Sequence, residues 1–418
     1  MFEQLFKRPH ALARHRNGPL AEERRRYLAH CAEQQMSRRT LRRIATYALI
    51  VAKALRLADR LGELVTRAEI EAEADRWANR HPKPPAMRDA HRSWLRFTGS
   101  ATRWLTFLGR LQPPFAAPRP YAEHVAQFSD YMLRERGLSP LTAQYRCRDI
   151  HEFLAWVDGV GLRLDTLTVA QVDELLARKV RDEGYARVSV QTYASNLRAF
   201  FRYAEDRGWC RAGLAAAIMS PRVFPYETLP AGLSWDDVNR VLTAARGNRP
   251  ADIRDRALLL LLAVYGLRAS EVVGLLLEDF DWQREMLSVP HSKPQKPRIY
   301  PLCRPVGDAV LRYLREVRPR SARREAFLML RAPFQPLTRI SLGQAVRRRL
   351  LALDAPLPHY GPHALRHACA THLLAQGLSL KEIGDHLGHQ SPETTRIYAK
   401  VDLLGLRAVG DFDLEGLL

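Results

Sequence analysis

Two proline-rich segments constrain the fold of this chain most strongly. Residues 111–120 carry four prolines and residues 221–230 carry three. Because proline fixes φ and removes a backbone donor, such clusters interrupt helices and strands and are typical of linkers. The length of 418 residues also exceeds what one hydrophobic core usually organises. We therefore expect three separately folded blocks.

The middle block is predicted to be a small helical bundle. Two sets of apolar residues recur in it at the three- and four-residue spacing of a helix face. The first set is Phe128, Tyr131, Met132, Tyr145, Ile150, Phe153, Leu154 and Trp156, and the second is Val172, Leu175, Leu176, Tyr193, Leu197, Phe200 and Phe201. In the third block, residues 286–289 and 298–302 have the pattern of strands and flank a turn rich in lysine and proline. That block is predicted to mix helices with at least one hairpin.

The first block contains a faint repeat of the middle block. Ser37 and Thr40 precede Ser139 and Thr142 by 102 residues. The same spacing relates Val65, Thr66 and Ala68 to Leu167, Thr168 and Ala170. A duplicated helical domain would produce such matches, and so would two unrelated amphipathic segments by chance. The sequence leaves both explanations open.

The chain carries a large excess of positive charge. Lys and Arg total 65 against 45 for Asp and Glu, a formal net charge of +20. This balance favours a polyanionic partner, nucleic acid above all, although a merely solvated basic surface has the same composition. In the first block, four arginines at helical spacing are predicted to line one face that binds a phosphate backbone. They are Arg38, Arg39, Arg42 and Arg43.

The sequence also argues against several classes of protein. The longest apolar run, residues 257–264, is far shorter than the roughly 20 residues that cross a bilayer. The N-terminus lacks a signal-peptide pattern, so we expect no membrane contact and a cytoplasmic, nucleoid-associated protein. The five cysteines are odd in number and never in a CxxC spacing, which argues against a disulfide framework and a zinc site. We expect no metal and no cofactor.

A first cluster of residues that could take part in chemistry follows the apolar run 257–264. One helix is predicted to end at Gly266 and the next to begin near Arg268. A cation at a helix N-terminus opposes the helix dipole, so an anion bound beside Arg268 would remove the conflict. Alternatively, Arg268 is simply paired with Glu271 one turn further on.

Cationic side chains are again predicted at a helix N-terminus in residues 361–367. Pro362 suits the first position of a helix. His363 and Arg366 then share one face of the opening turn, beside unpaired backbone N–H groups that favour an oxyanion. A single cluster of this kind often has only a structural role, but two helix N-termini with cations in one block favour an anion-binding site.

The third cluster ends in a tyrosine. Gly388 is predicted to end one helix and Ser391 with Pro392 to cap the next, which places Tyr398 about two turns into a short helix. Taken alone, such a tyrosine is normally a half-buried core aromatic.

In the hairpin turn, Lys293 carries a flexible ammonium that can reach a phosphate or a leaving oxygen, although surface lysines are common in hairpins.

Taken together, these motifs resemble the tyrosine recombinase (phage integrase) family. The shared order is an arginine in an R-x-S-E context, a hairpin lysine, H-x-x-R-H, L-G-H, and a tyrosine nine residues after His389. The resemblance covers residues 232–401, and more loosely residues 121–213. It implies a multidomain, mainly α protein. One or more helical, SAM-like core-binding domains would precede a mixed α+β catalytic domain with a small antiparallel sheet.

The domain boundaries that we expect combine the resemblance with the linkers. Residues 1–115 would form an N-terminal helical DNA-binding domain, 119–215 the core-binding domain, 216–231 a linker and 232–405 the catalytic domain. The first 115 residues depart from many relatives, which begin near the core-binding domain or carry a different arm. The apolar tail, residues 406–418, would dock on a neighbouring protomer or pack on its own domain, and both remain open.

Residue by residue, the family implies a pocket and a nucleophile. The pocket would consist of Arg268, Lys293, His363, Arg366 and His389, and Tyr398 would attack the phosphodiester. The two arginines would clamp phosphate oxygens as their charge rises in the five-coordinate transition state. We expect His363 to act as the base, His389 to orient the phosphate or share that work, and Lys293 to protonate the departing 5′ oxygen.

The hairpin contains one departure from the family. Lys296 and Arg298 occupy its usual further basic positions and are expected to contact DNA. Pro294 stands where the family commonly has glycine, which puts the free movement of Lys293 in question.

The expected function is a site-specific DNA recombinase or integrase of a mobile element, which cleaves and rejoins strands through a 3′-phosphotyrosyl intermediate. The family implies double-stranded DNA with specific sites as the partner and a homotetramer on that DNA. The free protein would be a monomer or weak oligomer, with or without helper recombinases. A type IB topoisomerase, which shares the chemistry, and a non-catalytic DNA-binding accessory protein are the alternatives.

Overall fold

The computed structural model describes residues 1–79, 90–113, 119–223, 233–290, 297–354, 357, 359–389 and 391–398. The chain divides into two compact units, residues 1–112 with 228–418, and residues 113–227. The finer domain boundaries given above remain predictions. The linker 216–231 lies partly, and the tail 406–418 wholly, outside the described residues.

The described part of residues 1–112 is helical. Its helices are α1 (Phe2–Leu5), α2 (Pro9–Arg16), α3 (Ala21–Glu33), α4 (Arg38–Ala54), α5 (Arg67–Asn79) and α6 (Ala90–Phe107). Phe97 and Trp104 of α6 are fully buried in its core. The enclosed Arg24 donates hydrogen bonds to the carbonyl oxygens of His15, Gly18 and Pro19, so this buried cation shapes the turn between α2 and α3.

Residues 113–227 form a second helical unit. Its helices are α7 (Ala122–Asp130), α8 (Pro140–Gly159), α9 (Val169–Arg181), α10 (Arg187–Asp206) and α11 (Leu214–Ala217), and α7 continues into a π-helical turn at Tyr131–Glu135. Phe128, Phe153, Phe200 and Phe201 pack edge to face in its core. The predicted helical bundle is confirmed.

The third block combines helices with a small sheet. Its helices are α12 (Trp235–Ala244), α13 (Pro250–Val264), α14 (Ala269–Gly274), α15 (Arg304–Arg312), α16 (Arg339–Leu351), α17 (Pro362–Ala375), α18 (Leu380–Leu387) and α19 (Glu393–Arg396). The antiparallel sheet has the order β1 (Phe280–Asp281), β2 (Met286–Val289), β3 (Arg298–Pro301). Strands β2 and β3 confirm the predicted hairpin. The two-residue β1 was not predicted, because so short a strand leaves no alternating pattern.

Helix α13 lies at the centre of this block. Every residue from Ala257 to Ala263 is buried, because α12, α14, α15, α16 and α17 all contact this helix. A helix that is apolar on all sides needs such surroundings. Within the described ranges, no helix combines the length and the apolar character that a membrane span requires. The same ranges contain no cluster of His, Cys, Asp and Glu that could hold a metal ion.

Candidate active site

Arg268 is positioned by the sharp turn that follows α13. Gly266 has a φ of +57°, and a Cβ on it would lie 2.3 Å from the Leu387 side chain, so glycine is required on both counts. Arg268 then caps α14, which confirms the predicted helix N-terminus. Its Nη1 donates to Glu271 Oε1 at 2.9 Å and its Nη2 to the Gly388 carbonyl oxygen at 3.0 Å.

Arg366 reaches the same turn from α17, which begins at Pro362 as predicted. Its guanidinium is 3% exposed and donates to the carbonyl oxygens of Gly266 and Leu387, the latter at 2.9 Å. Arg268 and Arg366 are therefore bound to the carbonyls of consecutive residues, Gly388 and Leu387. Burial, and then the charge of Arg268, lower the pKa of Arg366 to about 10, so Arg366 is still a cation at neutral pH.

A buried carboxylate balances these cations. Glu271 is 5% exposed, accepts the backbone N–H of Arg268 at 2.7 Å, and pairs with Arg298 Nη2 at 2.7 Å. Burial would raise the pKa of Glu271, but the hydrogen bond from the Arg268 backbone and the charges of Arg298 and Arg268 hold it below its usual value. The alternative pairing of Arg268 with Glu271 is thus present alongside the arginine cluster.

Arg298, an expected DNA contact, is largely enclosed in this conformation. Its side chain is 13% exposed, and its Nη1 donates to the Tyr300 hydroxyl at 2.7 Å. Its guanidinium therefore supports Glu271 from inside the pocket. Lys293, Pro294 and Lys296 lie outside the described residues, so their roles remain predictions.

The two expected histidines both lie close enough to Arg268 and Arg366 to feel their charge. His363 lies one turn before Arg366 on α17 and remains accessible to solvent. Partial desolvation of its ring, and then the charges of Arg366 and Arg268, lower the pKa of His363. A hydrogen bond of 2.7 Å joins His389 Nδ1 to the Thr395 hydroxyl, and burial, followed by Arg366, lowers the pKa of His389 to about 4. His389 is therefore neutral at pH 7.

Tyr398 is sheltered. The side chain is 2% exposed and packs among Cys369, Leu374, Ile383 and Leu387. Its hydroxyl lies 2.9 Å from His367 Nδ1. Burial raises the pKa of the phenol to about 12, so the hydroxyl is protonated at neutral pH, and the tautomer of His367 sets which of the two groups donates the bond.

The helical segment that carries Tyr398 begins as predicted but changes type. Pro392 is the N-cap of α19, which ends at Arg396, and a 3-10 turn continues directly through Ile397 and Tyr398. The β-branched pair Thr394 and Thr395 favours α-helix weakly, which fits the change to a 3-10 turn.

Two contributors to the site were missed by sequence reasoning. His367 stood inside the H-x-x-R-H motif without an assigned role, and Thr395 was not singled out. The sequence alone gives no signal for these roles, because the hydrogen bond between His367 and Tyr398 joins residues that lie far apart along the chain. What assembles is a pair of fixed guanidinium groups, three imidazoles and a phenol. That set suits phosphoryl transfer, in which charge grows on nonbridging oxygens.

Comparison with known proteins gives the class of this site. The phage integrase family matches residues 232–403, and the N-terminal SAM-like domain of phage integrases matches residues 125–208. An integrase/recombinase of Sinorhizobium fredii, y4rA, is 36% identical over 296 residues, 70% of this chain and 71% of the relative. The tyrosine recombinase XerD of Listeria innocua is 32% identical over 291 residues, 68% of this chain and 96% of the relative.

A solved structure shares the fold. The integrase of transposon Tn1549 in complex with circular intermediate DNA aligns over 69% of this chain and 99% of that chain, at 20% identity and a TM-score of 0.52. The chain belongs to the tyrosine recombinase (phage integrase) family. It is a site-specific DNA recombinase, as its motifs predicted.

Proposed function

We propose that Arg268 and Arg366 bind the phosphate that is cut, and that Tyr398 attacks it. The observation that carries this proposal is the convergence of both guanidinium groups on the Leu387–Gly388 turn. Each guanidinium has five N–H donors, and the hydrogen bonds described above occupy only some of them. Because the positions are fixed before DNA arrives, the clamp needs little reorganisation during the reaction.

Cleavage and rejoining exchange one phosphoester bond for another, so the reaction needs no external energy source. The phenolic oxygen of Tyr398 forms a bond to phosphorus while the bond to the 5′ oxygen breaks. His363, which the pKa shift keeps neutral, accepts the phenol proton, and Lys293 donates a proton to the departing oxygen. His389, neutral and oriented by Thr395, donates a hydrogen bond to a phosphate oxygen. Reversal by a second 5′ hydroxyl reseals the strand.

The sheltered state of Tyr398 adds a step before this chemistry. The hydroxyl must leave His367 to reach a phosphate held by the two arginines. In the resting conformation the phenol is enclosed and its pKa is raised, which disfavours attack on a phosphate that the two arginines do not hold. We infer that DNA binding draws residues 391–398 out of this position.

The finer biological assignments are proposals of the same kind. The likeness to a transposon integrase supports a mobile-element recombinase that acts on the nucleoid in the cytoplasm. Recombination of two duplex sites cuts four strands, which supports a homotetramer on DNA with one protomer for each cut. The tail 406–418, apolar in sequence, would dock on a neighbouring protomer in such an assembly. Arg38, Arg39, Arg42 and Arg43, with Lys296, remain the proposed DNA contacts.

A nicked suicide duplex that carries the recombination site tests the reaction. Wild-type protein should accumulate a covalent protein–DNA adduct, and Tyr398→Phe should form none, because the nucleophilic oxygen is absent. Paired sites should then yield joined products. Relaxation of supercoiled DNA without any site preference would instead favour the topoisomerase alternative. Unchanged recombination by Arg268→Ala would favour the accessory-protein alternative.

A further inference from the structure

Four of the helices described in residues 1–112 repeat those of residues 119–208 in order and in the way they begin. Helices α3, α4, α5 and α6 correspond to α7, α8, α9 and α10. Ser37 caps α4 by accepting the N–H three residues on at 3.3 Å, and Ser139, 102 residues later, caps α8 at 3.2 Å. Thr66 and Thr168, again 102 residues apart, form reciprocal capping contacts at the starts of α5 and α9.

The ends of these helices repeat as well. Left-handed backbone conformations occur at four equivalent places. The pairs are Leu20 and Tyr121, Gln35 and Gly137, Arg56 and Gly161, and Gly109 and Gly208. In the last pair the φ values are +67° and +68°. Such conformations are uncommon outside glycine, so their recurrence at matched helix ends points to one fold used twice.

We propose that residues 1–112 form a second copy of the SAM-like fold of residues 119–208, and that a basic groove on this copy binds the backbone of duplex DNA. The choice of DNA over other polyanions rests on the recombinase function given above. The sequence alone left both duplication and chance open. The matched left-handed helix ends are independent of the residue identities on which the sequence repeat rests.

The groove has a volume of about 1150 Å³. Arg38, Arg39, Arg42 and Arg43 line it from α4. Lys7, Arg8 and Arg96 complete its basic lining, and all seven side chains are exposed. Among the ion pairs of the described residues, none involves any of these seven cations. Their mutual repulsion is therefore not balanced by acidic groups within that part of the chain, and a bound polyanion would balance it.

The fold itself does not require these arginines. At the four equivalent positions 102 residues later, the second copy has Pro140, Leu141, Gln144 and Tyr145, all exposed. The same helix face is thus uncharged in one copy and fourfold positive in the other. The packing of the helices therefore does not need the positive charge on this face of α4, and such surface charge is expected of a binding site.

The lining favours duplex backbone over single strands. Phe6 and Tyr47, the aromatic residues in the groove, are buried, so they offer no platform on which unpaired bases could stack. Arg38 and Arg42, like Arg39 and Arg43, are four residues apart, about 6 Å along the helix. The result is two rows of planar donors, the geometry that suits phosphate oxygens.

The salt dependence of DNA binding tests the groove. The full chain and the variant Arg38→Gln/Arg39→Gln/Arg42→Gln/Arg43→Gln are titrated with a duplex of arbitrary sequence across a salt series. Each phosphate contact contributes about 0.9 to the slope of log K against log salt. We expect the variant to lose about 2 to 4 from that slope, and Arg→Lys at the four positions to retain it.

A matched control has the same change in net charge. The variant Arg16→Gln/Arg25→Gln/Arg67→Gln/Arg76→Gln alters four exposed, ion-paired arginines of the same domain and should lose less than about 1 from the slope. If the fourfold groove variant does not fold, the pairs Arg38/Arg42 and Arg39/Arg43 are changed separately, each with half the expected loss.

Two results would overturn the proposal. One is an equal slope for wild-type and groove variant, or an equal loss in the control. The other is a groove effect that appears with duplex RNA but not with duplex DNA. The failure of the recombinase mechanism looks different, because it would appear as a missing Tyr398 adduct while the salt slopes are unaffected.

Discussion

The hydrogen bond between Tyr398 and His367 yields the sharpest prediction about the reaction. Its length is 2.9 Å and the phenol is 2% exposed, so it stabilises the resting conformation in a nearly water-free place. A hydrogen bond of this kind contributes about 1 kcal/mol, which corresponds to a factor of about five in a population. The attack-competent fraction of the protein should be reduced by that factor.

His367→Phe keeps a ring of similar size but has no polar atom with which to form the bond. We expect it to raise the single-turnover rate of cleavage of a nicked duplex about fivefold, with DNA affinity unchanged. His367→Asn, which retains an acceptor close to the position of Nδ1, should stay near the wild-type rate.

A stability cycle without DNA measures the same bond. His367→Phe, Tyr398→Phe and the double variant are unfolded in urea, and the coupling free energy should be about 0.5–1.5 kcal/mol. A His367→Phe protein that cleaves at the wild-type rate or more slowly would refute the sheltering role, since His367 would then be neutral or would assist the attack.

Three further perturbations follow from the site. Arg366→Ala leaves the buried carbonyls of Gly266 and Leu387 without donors, so urea unfolding should show a loss of about 1–3 kcal/mol for each. Stability unchanged from wild type would contradict the assigned bonds. The pKa of His389 falls from 6.5 to about 4 on folding, so the unfolded chain binds more protons between these values and stability should decline as the pH drops through this window. His389→Gln should flatten that part of the stability curve, and an unaltered slope would argue against the shift. Gly388→Ala places a Cβ 2.7 Å from the Arg298 guanidinium at a φ of +67°, and should lower thermal stability by about 1 kcal/mol or more. Gly274→Ala, where the Cβ meets open space, is the control and should lack this loss.

Local signals in the sequence predicted much of the catalytic block. The glycine at 266 and the proline at 362 mark a helix end and a helix start, and both arginines were placed at helix N-termini from those signals alone. The hairpin was predicted because alternation over four residues is readable without tertiary context. These features depend on neighbours within one turn or one strand.

Other features depend on partners far along the chain. The pairing of Arg298 with Glu271 and the contact of Tyr398 with His367 become visible only when the helices are packed. Sequence reasoning therefore assigned Arg298 to a DNA contact and Tyr398 to the attack, without either of these partners. In the same way, the repeat in the first 112 residues is visible in the backbone conformation rather than in the residue types. Arg56 and Gly161, for example, both have a positive φ although their side chains differ.

The central claim is that the phenolic oxygen of Tyr398 becomes bonded to phosphorus. The most direct measurement is to trap the adduct on a nicked duplex, digest it, and identify the modified peptide and the polarity of the strand by mass spectrometry. The account predicts a 3′-phosphate on the peptide that contains Tyr398, together with a free 5′ hydroxyl on the released strand. A nucleotide attached to any other residue, or a 5′-phosphate linkage, would contradict it.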